Sequence, residues 1–229
     1  NNFCGSLFTN RPADLDLFIG LLRQALTIFP NAQLLGFASD FKSAYRQCTA
    51  RPAHAAGWIL VIWSPEHDQQ VFAGAGAQLF GCSLAPSNFC RIPDWCAHVS
   101  SRLFWLALIH CIDDVLTAEP SDTVQLAYRV WRRFAELCGW DIPDSKSPPP
   151  ADLFRVLGAM IDLSSTPLPP VIRLAEDRFA KLSRAAISVL ASKSLGAGLA
   201  GQLFGQFGFS CSQFFGRWGR AKLRPLSRR

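Results

Sequence analysis

Two adjacent carboxylates interrupt the most apolar stretch of this chain. Asp113 and Asp114 stand between the apolar runs 106–112 and 115–116, a pattern that predicts a β-hairpin with the two acids at its tip. Adjacent acids in apolar surroundings repel each other and lose hydration, so a raised pKa, a basic partner or bound cations must compensate. No Lys or Arg lies within ten residues of Asp113 on either side. Hard divalent cations with oxygen ligands therefore fit best, and Mg²⁺ is the usual choice beside phosphates.

Composition indicates a folded chain with an uneven distribution of charge. The 229 residues are 49% hydrophobic and 17% charged, which excludes a disordered chain and allows one large domain or two small ones. The net charge is +6, but residues 178–229 carry ten basic and no acidic side chains, which leaves −4 for residues 1–177. We expect a polyanionic partner for the basic end, with a solvated tail as the alternative. Because the chain starts at Asn1 and its sole methionine is Met160, we expect a piece of a longer polypeptide.

Cysteine spacing and one uncharged stretch bear on the compartment. The eight cysteines include no C-x-x-C pair, so we expect reduced thiols in an intracellular protein of the cytoplasm or nucleus, not a secreted one. Residues 194–216 carry no charge, yet they include six glycines and several polar side chains. This composition favours a helix packed closely on another element over a membrane span.

Hydrophobic periodicity predicts helices and strands without a regular βαβ repeat, which indicates an α+β fold. Helices are expected at 14–29, 85–100 (with a kink or boundary at Pro93) and 121–138 (with Ser121 as N-cap and Gly139 after its end), and strands at 34–39, 57–63, near 71–72, at 106–112, 115–116 and 153–163. From residue 171 to the Arg-rich end, the chain is expected to be helical.

Four segments follow one another in a recognisable order. They read Asp-Phe-Lys-Ser-Ala-Tyr-Arg-Gln at 40–47, Phe-Gly-Cys-Ser-Leu-Ala-Pro-Ser-Asn-Phe at 80–89, Cys-Ile-Asp-Asp-Val-Leu at 111–116 and Leu-Gly-Ala-Met-Ile-Asp-Leu at 157–163. In this order they resemble the palm motifs of reverse transcriptases, closest to those of gypsy-type and DIRS-type retrotransposons. Each motif alone is a weak signal, whereas four in order with fitting spacing are specific.

The resemblance implies a polymerase palm with an antiparallel sheet backed by helices, partial fingers and a helical thumb. The expected divisions are 1–39 for the fingers, 40–165 for the palm and 166–229 for the thumb with its basic end. It implies an RNA-directed DNA polymerase that extends a DNA primer on an RNA or DNA template with deoxynucleoside triphosphates (dNTPs). Such polymerases use two Mg²⁺ ions, or Mn²⁺, to lower the charge cost of nucleotidyl transfer. The acids that hold them match Asp40, Asp113 and Asp114.

The resemblance also implies positions around the incoming nucleotide. These match Phe41, Ala44, Tyr45, Gly81 and Lys146. The Tyr45 ring would lie under the sugar and collide with a 2′-hydroxyl, and Gly81 would let backbone approach the template–nucleotide pair. Lys146 would lie near the triphosphate as a general acid, with a solvated loop lysine as the alternative.

Primer and duplex contacts are expected further along the chain. Leu157 and Gly158 match the hairpin that grips the primer end. Basic residues of the thumb would contact phosphates without reading sequence, namely Arg217, Arg220, Lys222 and Arg224.

Two departures from the family pattern leave alternatives open. Cys111 stands where most relatives carry an aromatic side chain, and only Arg11 and Arg23 precede Asp40, which predicts truncated fingers. The alternative to a polymerase is therefore a catalytically inactive remnant that only binds nucleic acid. The presence of all three costly acids favours the enzyme. An RNA-dependent RNA polymerase is disfavoured by Tyr45 and by the form of the second motif.

Overall fold

The computed structural model describes residues 15–49, 53, 59–79, 85–212 and 219–227. Within these ranges the helices are α1 (Leu15–Ile28), α2 (Ala85–Phe104), α3 (Val124–Leu137), α4 (Glu176–Ser192), α5 (Ala197–Ser212) and α6 (Arg224–Ser227). The strands are β1 (Leu34–Asp40), β2 (Ile59–Ser64), β3 (Gln69–Gly74), β4 (Ile109–Cys111), β5 (Asp114–Pro120), β6 (Leu153–Val156), β7 (Ala159–Asp162) and β8 (Val171–Leu174). Helices combined with antiparallel sheets confirm the predicted α+β class.

A three-stranded antiparallel sheet forms the centre, in the order β1-β5-β4. β5 pairs with β1 over its whole length, from Leu34 opposite Pro120 to Asp40 opposite Asp114. Successive side chains of a strand point to opposite faces, and here both faces are covered. On β1, Phe37 points to one face, while Leu34 and Ala38 point to the other.

Each face of this sheet has its own apolar core. On one face, α2 and α3 bring Phe89 and the fully buried Trp131 against Phe37 and Val115. On the other face, α1 packs with the β6–β7 hairpin, and the ring of Phe154 is buried there. The sheet is thus covered on both sides.

A second antiparallel sheet, β6-β7-β8, lies beside β1. Gly36 and Ala151 exchange two backbone hydrogen bonds, each of 2.9 Å, which join the region before β6 to β1. The prediction that everything after residue 171 is helical is wrong at its start, because 171–174 forms β8 and pairs with β7. The sequence of these four residues is too short to indicate a strand, and they form one because they pair with β7.

Three other expectations need correction. The N-cap of α3 is Thr123 rather than Ser121, because the Ser121 amide continues the β1–β5 ladder by donating to Gln33. α2 runs through Pro93 without a boundary. The α5 glycines Gly198, Gly201 and Gly205 do not mediate close packing, since a Cβ there would meet nothing within 4 Å, and a Cβ at Gly208 would reach only Leu223 Cδ1 at 4.0 Å. Among the described helices, none is both long and apolar enough to cross a membrane.

Gly36 supplies a test of the packing between the two sheets. A Cβ built on this residue would lie 2.4 Å from Cε1 of Phe154 and 2.9 Å from the carbonyl oxygen of Thr117. We expect Gly36→Ala to lower the free energy of unfolding by about 1–3 kcal/mol, because the ring must move. The matched control is Gly20→Ala, in open space on α1, which should leave stability unchanged or raise it by up to about 1 kcal/mol. Urea denaturation of both variants measures the difference, and equal stabilities would contradict this packing.

Candidate active site

Two of the predicted acids face each other across the central sheet. β1 ends at Asp40, β5 begins at Asp114, and the two residues are direct partners in the antiparallel register. Side chains of paired residues lie on the same face, with Cβ atoms about 4.5–5.5 Å apart. Strand pairing therefore brings together two carboxylates that are 74 positions apart in the chain.

The third acid lies in the turn that precedes β5. Cys111 pairs with Asp114, so Ile112 and Asp113 form a two-residue connection between β4 and β5. The amide of Phe41 donates to the carbonyl oxygen of Asp113 at 3.1 Å, which ties this turn to the end of β1. Ile112 has a φ of 57°, a left-handed conformation that is unfavourable for a β-branched residue. Strain of this kind costs about 1–3 kcal/mol and persists only where the surroundings enforce it.

The positively charged side chain of Lys146 lies beside this group of acids. Its Nζ lies 2.6 Å from Oδ2 of Asp40, although the two residues are 106 positions apart. The other oxygen, Oδ1 of Asp40, is buried and has no hydrogen-bond partner among the described residues. The lysine, predicted to lie near the triphosphate, is therefore placed at the acids themselves.

Buried hydroxyl groups hold the Lys146 loop against the sheet. Ser147 and Ser39 share a hydrogen bond of 2.7 Å between their hydroxyl oxygens, and the indole Nε1 of Trp131 donates to Ser39 Oγ at 3.2 Å. The Tyr128 hydroxyl donates to the Ser147 carbonyl oxygen at 2.5 Å. These side chains come from β1 and α3, so both elements fix the position of the loop that carries Lys146.

The environment of Asp114 favours its neutral form. The pKa of its carboxyl group is raised to about 7, first by burial and then by the neighbouring charges of Asp113 and Asp40. Lys146 and a hydrogen bond from the backbone amide of Leu157 act oppositely and lower that pKa. The direction agrees with the geometry, because three carboxylates share one cationic side chain.

The donor chemistry of these residues fits a hard divalent cation. Among the residues that the structure describes, no three acidic, His or Cys side chains already form a complete metal-binding group. However, Asp40 Oδ1 is a buried acceptor without a partner among the described residues, and burial together with the charges of Asp113 and Asp40 raises the pKa of Asp114. Carboxylate oxygens are the ligands that Mg²⁺ and Mn²⁺ prefer.

The predicted nucleotide positions divide into buried and accessible ones. Phe41 and Ala44 are buried, and the Phe41 ring packs on Phe89 and Trp140, so neither side chain faces a cleft. Tyr45 is half-buried in the 3₁₀ helix Ala44–Gln47 and meets the Phe89 ring edge-on at 5.4 Å. Its pKa is raised by burial, and then by the charges of Cys90 and Asp113. Gly81 is outside the described residues.

The predicted primer hairpin connects the acids to the helices that follow. Leu157 and Gly158 form the turn between β6 and β7, both with positive φ, rather than part of a strand. The Gly158 carbonyl oxygen accepts a 3.1 Å hydrogen bond from the amide of Ala175, just before α4. A Cβ on Gly158 would lie 2.2 Å from Nη1 of Arg178, so the guanidinium group covers this turn.

The basic residues near the C-terminus lie on exposed backbone. Arg220 and Lys222 belong to the 3₁₀ helix Arg220–Leu223, and Arg224 begins α6. All three side chains are exposed, and the buried Leu223 anchors this segment. Arg217, predicted to contact nucleic acid, lies outside the described residues.

The arrangement of elements resembles that of known polymerases. The foamy viral protease-reverse transcriptase in complex with an RNA/DNA hybrid matches with a TM-score of 0.58 at 10% identity, over 88% of this chain and 23% of that chain. A structure of the foamy viral protease-reverse transcriptase "dRH" in complex with double-stranded DNA matches with a TM-score of 0.57 at 12% identity, over 89% of this chain and 31% of that chain. A further double-stranded DNA complex matches at 0.53 and 14% identity, over 88% and 36%. The chain has a reverse transcriptase-like fold.

These comparisons define the fold and no more. The chain spans between 23% and 36% of the length of the viral proteins it matches. No protein-family model and no curated protein matches the sequence. The predicted divisions into fingers, palm and thumb, and the predicted residue roles, stay predictions on a reverse transcriptase-like fold.

Sequence reasoning missed two buried polar side chains near the acids. His110 lies on β4 and is 6% exposed, and its Nδ1 is 2.6 Å from Oδ1 of Asp94 on α2. Ser39 is fully buried on β1. The signal for His110 was present, because a histidine inside the most apolar run of the chain must find polar partners there. Its partner could not be identified, since no local pattern relates Asp94 to β4.

The raised pKa of Asp114 predicts a specific dependence of stability on pH. Its ordinary value is 3.8 and its folded value about 7, so between those values the folded chain holds a proton that the unfolded chain has released. The free energy of unfolding should therefore fall as pH rises from about 4 to 7, by at most about 1.4 kcal/mol per pH unit. Above pH 7 this contribution should level off.

Urea denaturation at several pH values, without divalent cations, measures this effect. Asp114→Asn should flatten the profile between pH 4 and 7, whereas the control Asp122→Asn, at an exposed carboxylate, should not. A profile that is unchanged by Asp114→Asn would show that this carboxyl group titrates normally.

Proposed function

We propose that this chain is the palm and thumb part of an RNA-directed DNA polymerase. The observation that carries the proposal is the pairing of Asp40 with Asp114 across β1 and β5, with Asp113 in the adjoining turn. Three carboxylates with one lysine at their edge suit the transfer of a nucleotide, whose phosphates and metal ions bring the complementary charges. The reverse transcriptase-like fold supports this assignment over other uses of an acidic cluster.

In the proposed reaction, Asp40, Asp113 and Asp114 would hold the divalent cations. Those ions, when bound, stabilise the charge that develops as a primer 3′-hydroxyl displaces pyrophosphate from a dNTP. Lys146 Nζ is already placed beside Asp40, where it can donate a proton or a hydrogen bond to the leaving pyrophosphate. Its loop is fixed by Ser147, so the cation is positioned before substrate binds.

Other residues would position the substrates. Tyr45, close to Asp113, would lie under the sugar, and the 157–158 turn beside Asp114 would hold the primer end. The exposed cations Arg220, Lys222 and Arg224 would contact the phosphates of a primer–template duplex. The matched viral proteins are in complex with an RNA/DNA hybrid and with double-stranded DNA, which supports a nucleic-acid partner.

The type of element that encodes this chain is inferred from the sequence motifs alone. Their resemblance to gypsy-type and DIRS-type elements supports an origin in a retroelement polyprotein. An intracellular location, in the cytoplasm or nucleus, follows from that origin because templates and dNTPs are found there.

One observation favours a second candidate, a nucleic-acid-binding remnant without catalysis. The β2–β3 ribbon, within the predicted palm, has no Lys or Arg between residues 59 and 74. Its side chains, including Trp63 and Phe72, are largely exposed and apolar. This ribbon therefore offers no cation that could bind the phosphates of a nucleotide.

Primer extension distinguishes the two candidates. On poly(rA)·oligo(dT) with Mg²⁺ and dTTP, we expect extension by this chain or by a version lengthened at its N-terminus. Asp113→Asn should lower the rate at least about 100-fold, because charge at the developing transition state is no longer balanced. The control Asp122→Asn should leave the rate unchanged.

Two outcomes would contradict the polymerase. Extension that survives Asp113→Asn would remove the metal assignment. Salt-sensitive duplex binding without extension by either version of the chain would establish the remnant instead.

Tyr45 provides a separate test of the nucleotide position. We expect Tyr45→Ala to raise incorporation of ribonucleotides relative to deoxyribonucleotides by about tenfold or more, since the ring that excludes the 2′-hydroxyl is gone. Tyr45→Phe keeps the ring and should discriminate as the wild type does. The ratio of kcat/KM for dTTP and UTP measures the effect, and an unchanged ratio in Tyr45→Ala would dismiss this role.

A further inference from the structure

We propose that His110 and Asp94 form a positioning pair that holds the turn carrying Asp113 in its active geometry. The inference rests on the proposed function, because it concerns the same acids. Neither residue belongs to the family motifs quoted above, and the pair joins α2 to the β4–β5 turn across the core.

The contacts of the His110 ring define what it can do. Nδ1 lies 2.6 Å from Oδ1 of Asp94, and Nε2 contacts the carbonyl oxygen of Ile112. Both ring nitrogens of this buried imidazole are therefore engaged by oxygen atoms, one on α2 and one in the β4–β5 turn. Two contacts on opposite sides of a planar ring fix its orientation.

The Ile112 carbonyl group is the important acceptor. It belongs to the peptide unit that leads into Asp113, so its direction determines how Asp113 leaves the turn. The next carbonyl oxygen, that of Asp113 itself, accepts from the amide of Phe41 at 3.1 Å. Both peptide units that flank the Asp113 side chain are thus fixed, one by His110 and the other by the end of β1.

Ile112 requires such a restraint. Its φ of 57° is a conformation that a β-branched residue avoids, so the turn would relax without a contact that enforces it. His110 supplies this contact from a rigid place, because it is buried on β4 and pairs with Val115 of β5. Asp94 orients the ring from α2, although its own side chain is 57% exposed.

The His110 ring also packs near the aromatic residues around Tyr45, the predicted nucleotide-binding tyrosine. His110 lies 6.3 Å from the Phe89 ring centre, and Phe89 packs against Tyr45 at 5.4 Å. The pair therefore joins α2, the aromatic cluster beneath Tyr45 and the acid turn. A residue that acts through Asp113 in this way is a positioning residue, since it touches neither substrate nor metal.

The first test examines the turn in the chain without metal. Amide hydrogen exchange at Phe41 and Asp114 reports whether the Asp113 carbonyl group and the start of β5 are in place. We expect His110→Ala to accelerate exchange at these amides by about tenfold or more, while amides within α3 keep their protection. Asp94→Asn should have a smaller effect in the same direction. Controls are His98→Gln and Asp122→Asn, both at exposed side chains.

A second substitution separates positioning from packing. Glycine adopts positive φ without strain, so Ile112→Gly should restore slow exchange when it is added to His110→Ala. If His110 only fills the core, the added Ile112→Gly would restore nothing. If His110→Ala does not fold, His110→Gln, with and without Ile112→Gly, replaces it in the comparison. Exchange that is the same in wild type and in the folded His110 variant would overturn the inference.

The last test connects the turn to the acids. Mn²⁺ titration followed by electron paramagnetic resonance should show affinity reduced about 10–100-fold in His110→Ala, with recovery in the double variant. In extension assays kcat should fall while KM for the primer–template stays unchanged.

Wild-type chain that binds no Mn²⁺ would refute the proposed function, whereas the exchange results would still decide whether His110 holds the turn. Unaltered Mn²⁺ affinity in a His110 variant whose turn exchanges quickly would overturn the link to Asp113.

Discussion

Repulsion between Asp40 and Asp114 is the constraint on which the rest of this site depends. Most side chains of β1 and β5 are buried, on both faces of the sheet, and a shift of register by one residue would move each of them to the opposite core. That register leaves two carboxylates facing each other at the strand ends. Lys146, the Leu157 amide and the proton favoured on Asp114 all lower the resulting electrostatic cost. The hydrophobic cores thus hold together charges that would otherwise separate.

Much of this arrangement could be predicted because it has a local signal. The helices α1 and α3 and the strand β1 follow from periodicity, and the ordered motifs locate the three acids. Predictions were wrong where a tertiary partner decides the structure. Residues 171–174 become β8 only by pairing with β7, and Ser121 is not an N-cap because Gln33 holds its amide in the β1–β5 ladder. The ends of secondary structure elements depend on contacts that no window of sequence contains.

The side chains that support the acids had weaker signals still. Lys146 could be placed near the triphosphate only through the family resemblance, and its contact with Asp40 spans 106 positions. Ser39 and Ser147 are 108 positions apart and are related only through the packing of α3 on β1. His110 was not singled out from the sequence, and nothing in the sequence identifies Asp94 as its partner. A buried polar residue in an apolar run predicts that a partner exists, whereas the fold determines which residue it is.

The balance of charge at the site argues for a role that involves cations. Three carboxylates and one lysine leave a negative excess within a few side chains, and the pKa of Asp114 is raised, first by burial and then by the charges of Asp113 and Asp40. A structural site could remove this cost by replacing one acid with an amide, which has nearly the same shape and no charge. The excess negative charge of the three acids is useful only if the site binds a cation. Under the proposed function, divalent ions that accompany a triphosphate would balance that charge. The strained turn at Ile112 fits the same proposal, because it carries Asp113, one of the acids that would hold those ions.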